Sequence, residues 1–333
     1  MPDWSKFAEI VRRHRRFAIT THIRPDGDAL GCETALAEVL ETLGKDVLVC
    51  NVFSIPPDLQ FIDKKKRFKK LGVDLAPDRL ADREVLIILD TSAWAQLGAM
   101  SDVVRSTDAL KVVIDHHVSE DDLGAELFKD DTAEATGRLV IEALDQLKVP
   151  LTPDIARAAF VAMATDTGWF RFSSTRAETF SLIARLVQAG ADPDEIYKNL
   201  YENDSLARLR LIGRTLSRAE TELDGRLIHT YISNEDFCAT GALPSDSEDI
   251  INLMLAVGCT QAAVIFVEQP KGGFKVSLRS RCQLDCAALA EKFGGGGHKK
   301  AAGLSINEPL ESARAKVLDT VRAAIQQGNL NGF

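Results

Sequence analysis

The amino-acid sequence predicts an α/β fold: an N-terminal, mostly parallel sheet covered by helices, a helical connector and a smaller C-terminal α/β domain. Short β-branched or leucine-rich runs alternate with helix-period segments in the first half, and strand-like runs return only near residue 225. A chain of 333 residues, 45% of them hydrophobic, is also too long to fold around a single hydrophobic core, so two domains are expected. We therefore predict a first domain over residues 1–190, a connector over 191–224 and a second domain over 225–333.

Four apolar runs of strand length define the predicted first sheet. In chain order they are RFAIT at 16–20, DVLVCNV at 46–52, EVLIILD at 84–90 and LKVVIDHH at 110–117. The segment ALGCETALAEVLETLG has helical periodicity, and Gly44 at its end is typical of a helix stop. Because strands alternate with helices, we expect a mostly parallel sheet with helices on both faces.

The pattern becomes helical from about residue 131 to about residue 222. This region includes two connector segments, AETFSLIARLVQAG and DPDEIYKNLYENDSLARLRLIGRTLSRAE. Strand-like runs then return as RLIHTYIS, TQAAVIFVEQ and GFKVSLRS, with a hairpin turn predicted at Gly272 and Gly273. These three runs predict the sheet of the second domain.

Composition excludes several classes of protein. The net charge of −9 argues against a long nucleic acid bound along its backbone, although it leaves room for a local basic pocket. The six cysteines form no CxxC pair, which is typical of reduced thiols. No signal-peptide core and no run of about eighteen apolar residues is present. We therefore expect a cytoplasmic protein that does not contact a membrane.

Acidic residues and histidines of the first half cluster where apolar strands end. His22, Asp26 and Asp28 follow the first strand, Asp90 closes the third, and the sequence Asp-His-His at 115–117 closes the fourth. In an open parallel sheet the carboxyl ends of the strands share one edge, and ligands bind in the crevice there. We therefore expect these side chains to converge.

A further aspartate, Asp166, follows the apolar segment 160–164 in a predicted turn. Together the polar groups amount to four carboxylates and two imidazoles, from Asp26, Asp28, Asp90, Asp166, His22 and His116. Carboxylates packed together without cations repel and take up protons, so two divalent ions are predicted to balance the four charges. A mixed carboxylate and imidazole set favours manganese. Two such ions activate a water and clamp a phosphoryl group.

Each of these motifs, taken alone, has a structural alternative. HIRPDGDALG is also a plausible Asp-rich turn in which Asp28 is the N-cap of a helix. Asp90 suits a strand-end turn, and Asp166 suits an Asx-turn. Their joint occurrence in order favours the metal site, with Pro25 and Gly27 breaking helical regularity so that the aspartates point to two ions.

These motifs resemble the DHH phosphoesterases, a family named for the sequence found here at 115–117. The resemblance extends over almost the whole chain, through THIRPDGDALG, LDTSAWAQLG, VIDHHVSE, ATGRLV, TDTGWFRFSSTRAETF, VSLRSR and FGGGGHKKAAG. It implies one metal held by His22 and Asp26, a second held by Asp28, His116 and Asp166, and Asp90 as the bridge between them. It also implies a catalytic pair in which Asp115 orients the neighbouring histidines and His117 faces the substrate phosphate and the leaving oxygen.

The second domain carries the glycine run FGGGGHKKAAG, which belongs to the family's associated C-terminal domain. Glycine amides can form an anion-binding nest, although such runs are often flexible linkers. The strand VSLRSR adds a guanidinium that can pair with a phosphate. The resemblance implies that the far phosphate or base of the substrate is held by Arg279, Ser280, Gly295, Gly296, Gly297 and His298.

Within the family, the chain resembles the bacterial branch that hydrolyses short oligoribonucleotides to mononucleotides and dephosphorylates 3′-phosphoadenosine 5′-phosphate. The alternatives are a RecJ-like single-strand exonuclease, a phosphodiesterase for linear dinucleotides from cyclic-dinucleotide turnover, a manganese pyrophosphatase and a non-catalytic nucleotide-binding module. The expected partner is short single-stranded RNA or a nucleotide, and a homodimer is left open. Trp169 and Phe170, beside Asp166, suit either base stacking or core packing.

Overall fold

A computed structural model describes residues 2–328 and divides the chain between Asn203 and Asp204 into two compact units. Residues 191–203 of the predicted connector belong to the first unit, and residues 204–224 belong to the second. Residue 1 and residues 329–333, which the predicted domains include, lie outside the described residues. The exact domain boundaries stay a prediction.

The first unit contains a six-stranded parallel sheet with the order β3-β2-β1-β4-β5-β6. Its strands are β1 Arg16–Thr20, β2 Asp46–Asn51, β3 Phe68–Lys70, β4 Val85–Leu89, β5 Leu110–Asp115 and β6 Glu126–Lys129. The predicted parallel sheet is thus confirmed, with two short edge strands added. The strand order reverses between β1 and β4, which is the position where open α/β sheets form a ligand crevice.

Helices cover both faces of this sheet, as predicted. Side chains alternate along β1, so that Phe17 and Ile19 enter one hydrophobic core and Ala18 enters the other. The helices are α1 Trp4–Arg13, α2 Gly27–Thr42, α3 Trp94–Leu97, α4 Met100–Ser106, α5 Thr136–Leu147, α6 Pro153–Asp166, α7 Ala177–Gln188 and α8 Pro193–Tyr201. Short 3₁₀ turns occupy Pro57–Ile62 and Pro77–Leu80.

Close packing of α2 on α6 fixes the two helices that carry aspartates of the predicted site. Gly31 lies at the contact, where an added Cβ atom would come within 2.4 Å of the carbonyl oxygen of Ala158 and 2.9 Å of the Cβ atom of Ala162. Real Cβ atoms do not approach so closely, so only glycine permits this distance between the helices.

We expect Gly31→Ala to lower the free energy of unfolding by about 1–3 kcal/mol, the usual effect of overpacking a rigid contact. Gly213, in a helix of the second unit, is a matched control because an added Cβ atom there would meet nothing within 4 Å. Gly213→Ala should leave stability unchanged or raise it slightly. Denaturant unfolding of both variants measures the difference, and equal stability of the two would contradict the steric argument.

The second unit contains a six-stranded sheet with the order β11-β12-β10-β9-β8-β7. The strands are β7 Glu220–Glu222, β8 Leu227–Ile232, β9 Ala262–Glu268, β10 Phe274–Ser280, β11 Gly296–His298 and β12 Ala301–Ile306. β8 and β9 pair in parallel, whereas the other neighbours are antiparallel. The predicted hairpin between β9 and β10 is confirmed, with φ of 91° at Gly272 and 75° at Gly273.

Helices also pack on both faces of the second sheet. They are α9 Leu206–Ser217, α10 Asn234–Thr240, α11 Ile250–Met254, α12 Cys286–Glu291 and α13 Leu310–Gly328, with a 3₁₀ turn at Pro244–Ser247. The longer of the two predicted connector segments forms two helices, α8 and α9, because the Ser205 side chain caps a new helix through the Arg208 amide. Among the helices that the structure describes, none has the length and apolarity required to cross a bilayer.

Candidate metal centre

The first two aspartates of the predicted site lie at the start of α2. Asp26 is the N-cap, since its Oδ1 atom accepts hydrogen bonds from the amides of Asp28 (3.0 Å) and Ala29 (3.1 Å). The alternative that made Asp28 the N-cap is therefore wrong. Asp28 is the second residue of the helix and is buried, so Gly27 begins the helix and does not interrupt it. Asp26 precedes the first helical residue and Asp28 follows it, and the two carboxylates belong to different groups of ligands.

Asp90 and the Asp-His-His motif follow the neighbouring strands β4 and β5. Asp90 has a left-handed backbone, with φ of 60°, and its amide donates to the carbonyl oxygen of Ile114 on β5. Non-glycine residues rarely adopt this conformation, which is concentrated at functional sites. Asp166 is the last residue of α6, so the predicted turn begins one residue later.

The structure brings the six predicted ligands into two adjoining groups. Each group offers one nitrogen or oxygen atom per residue, all within 4.8 Å of one another: His22, Asp26 and Asp90 in the first, and Asp28, His116 and Asp166 in the second. Asp90 adjoins both, because its Oδ2 atom is 3.4 Å from His22 Nε2 and its Oδ1 atom is 3.7 Å from His116 Nε2. This is the placement expected of a bridging carboxylate.

Backbone carbonyls orient both imidazoles of these groups. The Nδ1 atom of His22 lies 2.8 Å from the carbonyl oxygen of Ile23, and Nδ1 of His116 lies 3.2 Å from that of Ala133. A carbonyl oxygen only accepts hydrogen bonds, so in the neutral ring Nδ1 carries the proton and Nε2 keeps a lone pair. Both Nε2 atoms face the carboxylates, which is the arrangement that metal-binding histidines need.

The N-terminus of α5 supports the buried carboxylates. The Thr136 and Gly137 amides donate to Asp28 at 2.7 and 2.9 Å, and the Thr136 hydroxyl donates to Asp90 at 2.8 Å. Helix N-termini favour negative charge, so α5 holds these two carboxylates in place. The role of Thr136 as a hydrogen-bond donor to this site was not predicted. The motif ATGRLV, which places small residues before an amphipathic helix, was the sequence signal that could have indicated it.

Electrostatics show that this donor set fits divalent cations. Burial, together with Asp90 and Asp166, raises the pKa of Asp28 well above its usual value, and burial raises the pKa of Asp166 to about 6. Burial acts to lower the pKa of His22, but Asp90 and Asp26 outweigh it and raise that pKa to about 9. The protein alone would therefore hold extra protons here, and divalent ions can replace them because they supply the same positive charge.

A second histidine of the motif, His117, is held by Asp115. Its Nδ1 atom donates to Asp115 Oδ1 at 2.8 Å, and this hydrogen bond is the main reason why the pKa of His117 is raised. Asp115 is fully buried and also accepts from the Ser92 hydroxyl at 2.7 Å, with Lys129 Nζ at 3.5 Å. Asp115 thus contacts His117, whereas His116 is oriented by a backbone carbonyl.

A buried acid behind the first group was not predicted from the sequence. Glu33 on α2 is fully buried and accepts a hydrogen bond of 2.7 Å from the Asn51 side chain. The Asn51 Oδ1 atom in turn accepts from the Thr21 amide at 3.3 Å, next to His22. The helical segment around Glu33 gives no sign that one of its glutamates faces the core.

We expect Glu33 to make stability depend on pH. Burial raises the pKa of its carboxyl group from 4.5 to about 8, although the Asn51 hydrogen bond acts to lower it. The folded state then binds a proton that the unfolded state has lost, so the free energy of unfolding falls as pH rises from about 4.5 to about 8. Glu33→Gln should remove this fall and be more stable than the wild type at pH 9, by roughly 2–4 kcal/mol.

Urea unfolding at pH 6 and pH 9 in a chelating buffer measures this effect. Glu9→Gln, exposed on α1, is the control and should keep the wild-type dependence. If the free energy of unfolding changes equally with pH in Glu33→Gln and in the wild type, Glu33 is ionised from pH 6 to pH 9 and the prediction is wrong.

The predicted substrate-binding residues of the second unit lie near the ends of β10 and β11. Arg279 is half-buried, and its Nη1 atom donates to the carbonyl oxygen of Leu278 at 3.2 Å. His298 is exposed at the end of β11. Ser280 is buried, and its hydroxyl accepts from the Cys282 amide at 3.2 Å, which makes it part of the turn after β10.

The glycine run is part of the sheet and not a linker. An added Cβ atom would lie 2.3 Å from the Gly303 carbonyl oxygen at Gly295 and 2.6 Å from the Ala301 carbonyl oxygen at Gly297, where φ is 146°. Both glycines are therefore required for β11 to lie against β12. At Gly296 an added Cβ atom would meet nothing within 4 Å, so this position is open to solvent or to a ligand.

Comparisons with known proteins agree with this arrangement of two units. Residues 16–164 match the DHH family, N-terminal domain, and residues 234–327 match the DHHA1 domain. The chain is 30% identical over 305 residues to the bifunctional oligoribonuclease and PAP phosphatase NrnA of Thermus thermophilus, covering 91% of this chain and 88% of that protein.

Two solved structures are similar in fold. An exopolyphosphatase-related protein from Bacteroides fragilis superimposes with a TM-score of 0.88 at 26% identity, covering 97% of this chain and 95% of that one. The exonuclease RecJ bound to manganese gives a TM-score of 0.58 at 15% identity, covering 97% and 95% of the two chains. The second similarity concerns the fold alone.

Proposed function

The chain belongs to the DHH family, and we propose that it hydrolyses short oligoribonucleotides to mononucleotides and dephosphorylates 3′-phosphoadenosine 5′-phosphate. As a member it is a metal-dependent hydrolase of phosphate esters. The observation that carries the proposal is the convergence of four carboxylates and two imidazoles at the carboxyl edge of the first sheet. The similarity to the T. thermophilus enzyme, which spans 88% of that protein, supports the substrate class.

We assign two divalent ions to the centre. His22 and Asp26 would hold the first, Asp28, His116 and Asp166 would hold the second, and Asp90 would be shared by both. Divalent ions supply such a site with charge for the phosphate oxygens and with the Lewis acidity that makes water nucleophilic. Manganese is the ion we propose, because imidazoles in a carboxylate set shift preference away from magnesium and calcium.

His117 is the proposed general acid. Asp115 accepts a hydrogen bond from Nδ1 and raises the pKa of His117, so the half-exposed ring can hold a second proton at Nε2, which it would donate to the leaving oxygen. Asp115 is buried and is therefore a positioning residue, which Ser92 and Lys129 keep in place. His117 would then transfer the proton, whereas the ions at the two groups of ligands would stabilise the charge on the phosphate.

In the second unit, Arg279 and His298 are proposed to bind the end of the substrate that is not cleaved, with Gly296 beside them. Arg279→Ala should remove a charge-assisted contact of roughly 1.5–3 kcal/mol, which raises KM about ten- to a hundredfold for a dinucleotide. Lys275→Ala, exposed on the same strand, is the matched control. Hydrolysis of bis-p-nitrophenyl phosphate should be little affected by Arg279→Ala, and equal losses on both esters would assign Arg279 to the fold or the catalytic centre.

The proposed function is tested by turnover with manganese on four substrates side by side: a dinucleotide, a long RNA, pyrophosphate and 3′-phosphoadenosine 5′-phosphate. We expect the first and the last to be hydrolysed fastest. Fastest turnover of long RNA would identify a RecJ-like exonuclease, and fastest turnover of pyrophosphate a pyrophosphatase. Activity on the dinucleotide alone would favour a linear-dinucleotide phosphodiesterase.

The ligand, the location and the assembly of the enzyme are further parts of the proposal. We propose that its ligand is short single-stranded RNA or a nucleotide and that the enzyme works in the cytoplasm. The homodimer that the sequence leaves open is tested by light scattering of the purified protein.

A further inference from the structure

The residues that directly follow the ligand Asp166 have an unusual backbone. Gly168, Trp169 and Phe170 are all left-handed, with φ of 57°, 58° and 65°. Two of these are bulky residues, for which this region is strained. Thr167 holds the turn, because its hydroxyl oxygen accepts from the Phe170 amide at 3.1 Å. Strain of this kind is retained where the position of a side chain matters.

The strained turn places Trp169 against two tyrosines of α8. The Trp169 ring lies edge-on to Tyr197 and Tyr201, with centroids 5.0 and 5.8 Å away, and edge-on to Phe160 of the core at 5.7 Å. The tyrosines are 40% and 46% exposed. Within residues 2–328 neither tyrosine hydroxyl hydrogen-bonds to another residue. We call Trp169, Tyr197 and Tyr201 the aromatic surface.

An unpaired cation lies beside the aromatic surface. Arg171 is exposed and forms no ion pair among residues 2–328, although its guanidinium lies 5.4 Å from the Phe172 ring centroid. Arg171 is two residues beyond Trp169, so their Cα atoms are at most about 7 Å apart and one ligand can reach both. Exposed rings next to a free guanidinium suit a ligand that has both an aromatic base and a phosphate.

We propose that the aromatic surface binds one base of the oligoribonucleotide by stacking, with Arg171 contacting the phosphate beside that base. This inference rests on the proposed function and extends it to a base-binding site within the first unit. Trp169 is three residues beyond Asp166, so their Cα atoms are at most about 11 Å apart. A ligand whose phosphate lies at Asp166 can therefore extend to the aromatic surface. Stacking tolerates any base, so this site gives affinity for RNA without sequence preference.

The test is a binding measurement with matched variants of the full chain. The probe is a dinucleotide with an uncleavable methylene phosphonate linkage, compared with the same molecule lacking both bases. Tyr197→Leu combined with Tyr201→Leu removes two rings from exposed positions, whereas Tyr197→Phe combined with Tyr201→Phe keeps them. Calorimetry in manganese gives Kd for each pair, and thermal unfolding checks that the variants are folded.

The leucine variant should bind the dinucleotide about tenfold more weakly than the wild type, with unchanged affinity for the abasic probe. The phenylalanine variant should bind both probes like the wild type. The proposal is overturned if the leucine variant keeps full affinity for the dinucleotide, loses affinity equally for both probes, or if the wild type binds neither probe. If the wild type binds the probe but releases no mononucleotides from a cleavable dinucleotide, the proposed function is wrong and the base-binding site is retained.

Discussion

Replacing Asp90 with alanine should lower turnover at saturating manganese by about a thousandfold or more. Asp90 is the carboxylate that adjoins both groups of ligands, at 3.4 Å from His22 and 3.7 Å from His116. In the proposed two-ion centre its loss would affect both ions, whereas loss of any terminal ligand would affect one. Steady-state kinetics on a dinucleotide measures the effect, and more than about a tenth of wild-type turnover would contradict the bridging assignment.

Two comparisons separate this effect from damage to the fold. His116→Ala removes a ligand of one group only, so its activity should be partly restored by excess manganese. The metal-free Asp90→Asn protein keeps an oxygen acceptor for the Thr136 hydroxyl and suits the left-handed backbone, so it should unfold at the wild-type temperature or above it, because one charge is removed from a crowded set of carboxylates. A large drop in its unfolding temperature would assign Asp90 to folding instead of catalysis.

Removing metal should abolish turnover, and the choice of metal should decide how much returns. We expect manganese or cobalt to restore activity and calcium to restore less than about a hundredth of it, because calcium takes more ligands at longer distances and suits imidazole poorly. Chelated enzyme titrated with each ion provides the measurement. Thermal unfolding at each step shows whether calcium binds without supporting turnover. Full recovery with calcium would show that the imidazoles do not govern metal choice.

The sequence was sufficient to predict the main strands and the polar residues at their carboxyl ends. His22, Asp90 and His116 each follow a long apolar run, and a parallel sheet brings such ends to one edge. The edge strands β3 and β6 were missed because they have only 3 and 4 residues and little apolar pattern. Strands this short depend on pairing with a neighbour and not on their own composition.

Contacts between distant segments could not be predicted. The amide of Thr136 binds Asp28 across 108 positions of the chain, and no local pattern reveals such a partner. Glu33 was missed because the helix α2 is buried nearly all round, so its buried acid lies on no distinct face. The start of α2 was misjudged for a local reason: Gly27 was taken as a break, but the Asp26 cap begins the helix there.

In the proposed centre, the carboxyl edge of the first sheet holds two divalent ions that share Asp90. Anomalous diffraction at the manganese edge, from crystals of the full chain grown with manganese, locates these ions. We expect two peaks, one among His22, Asp26 and Asp90 and one among Asp28, His116, Asp166 and Asp90. A single peak, or peaks whose nearest ligands exclude Asp90, would contradict this arrangement.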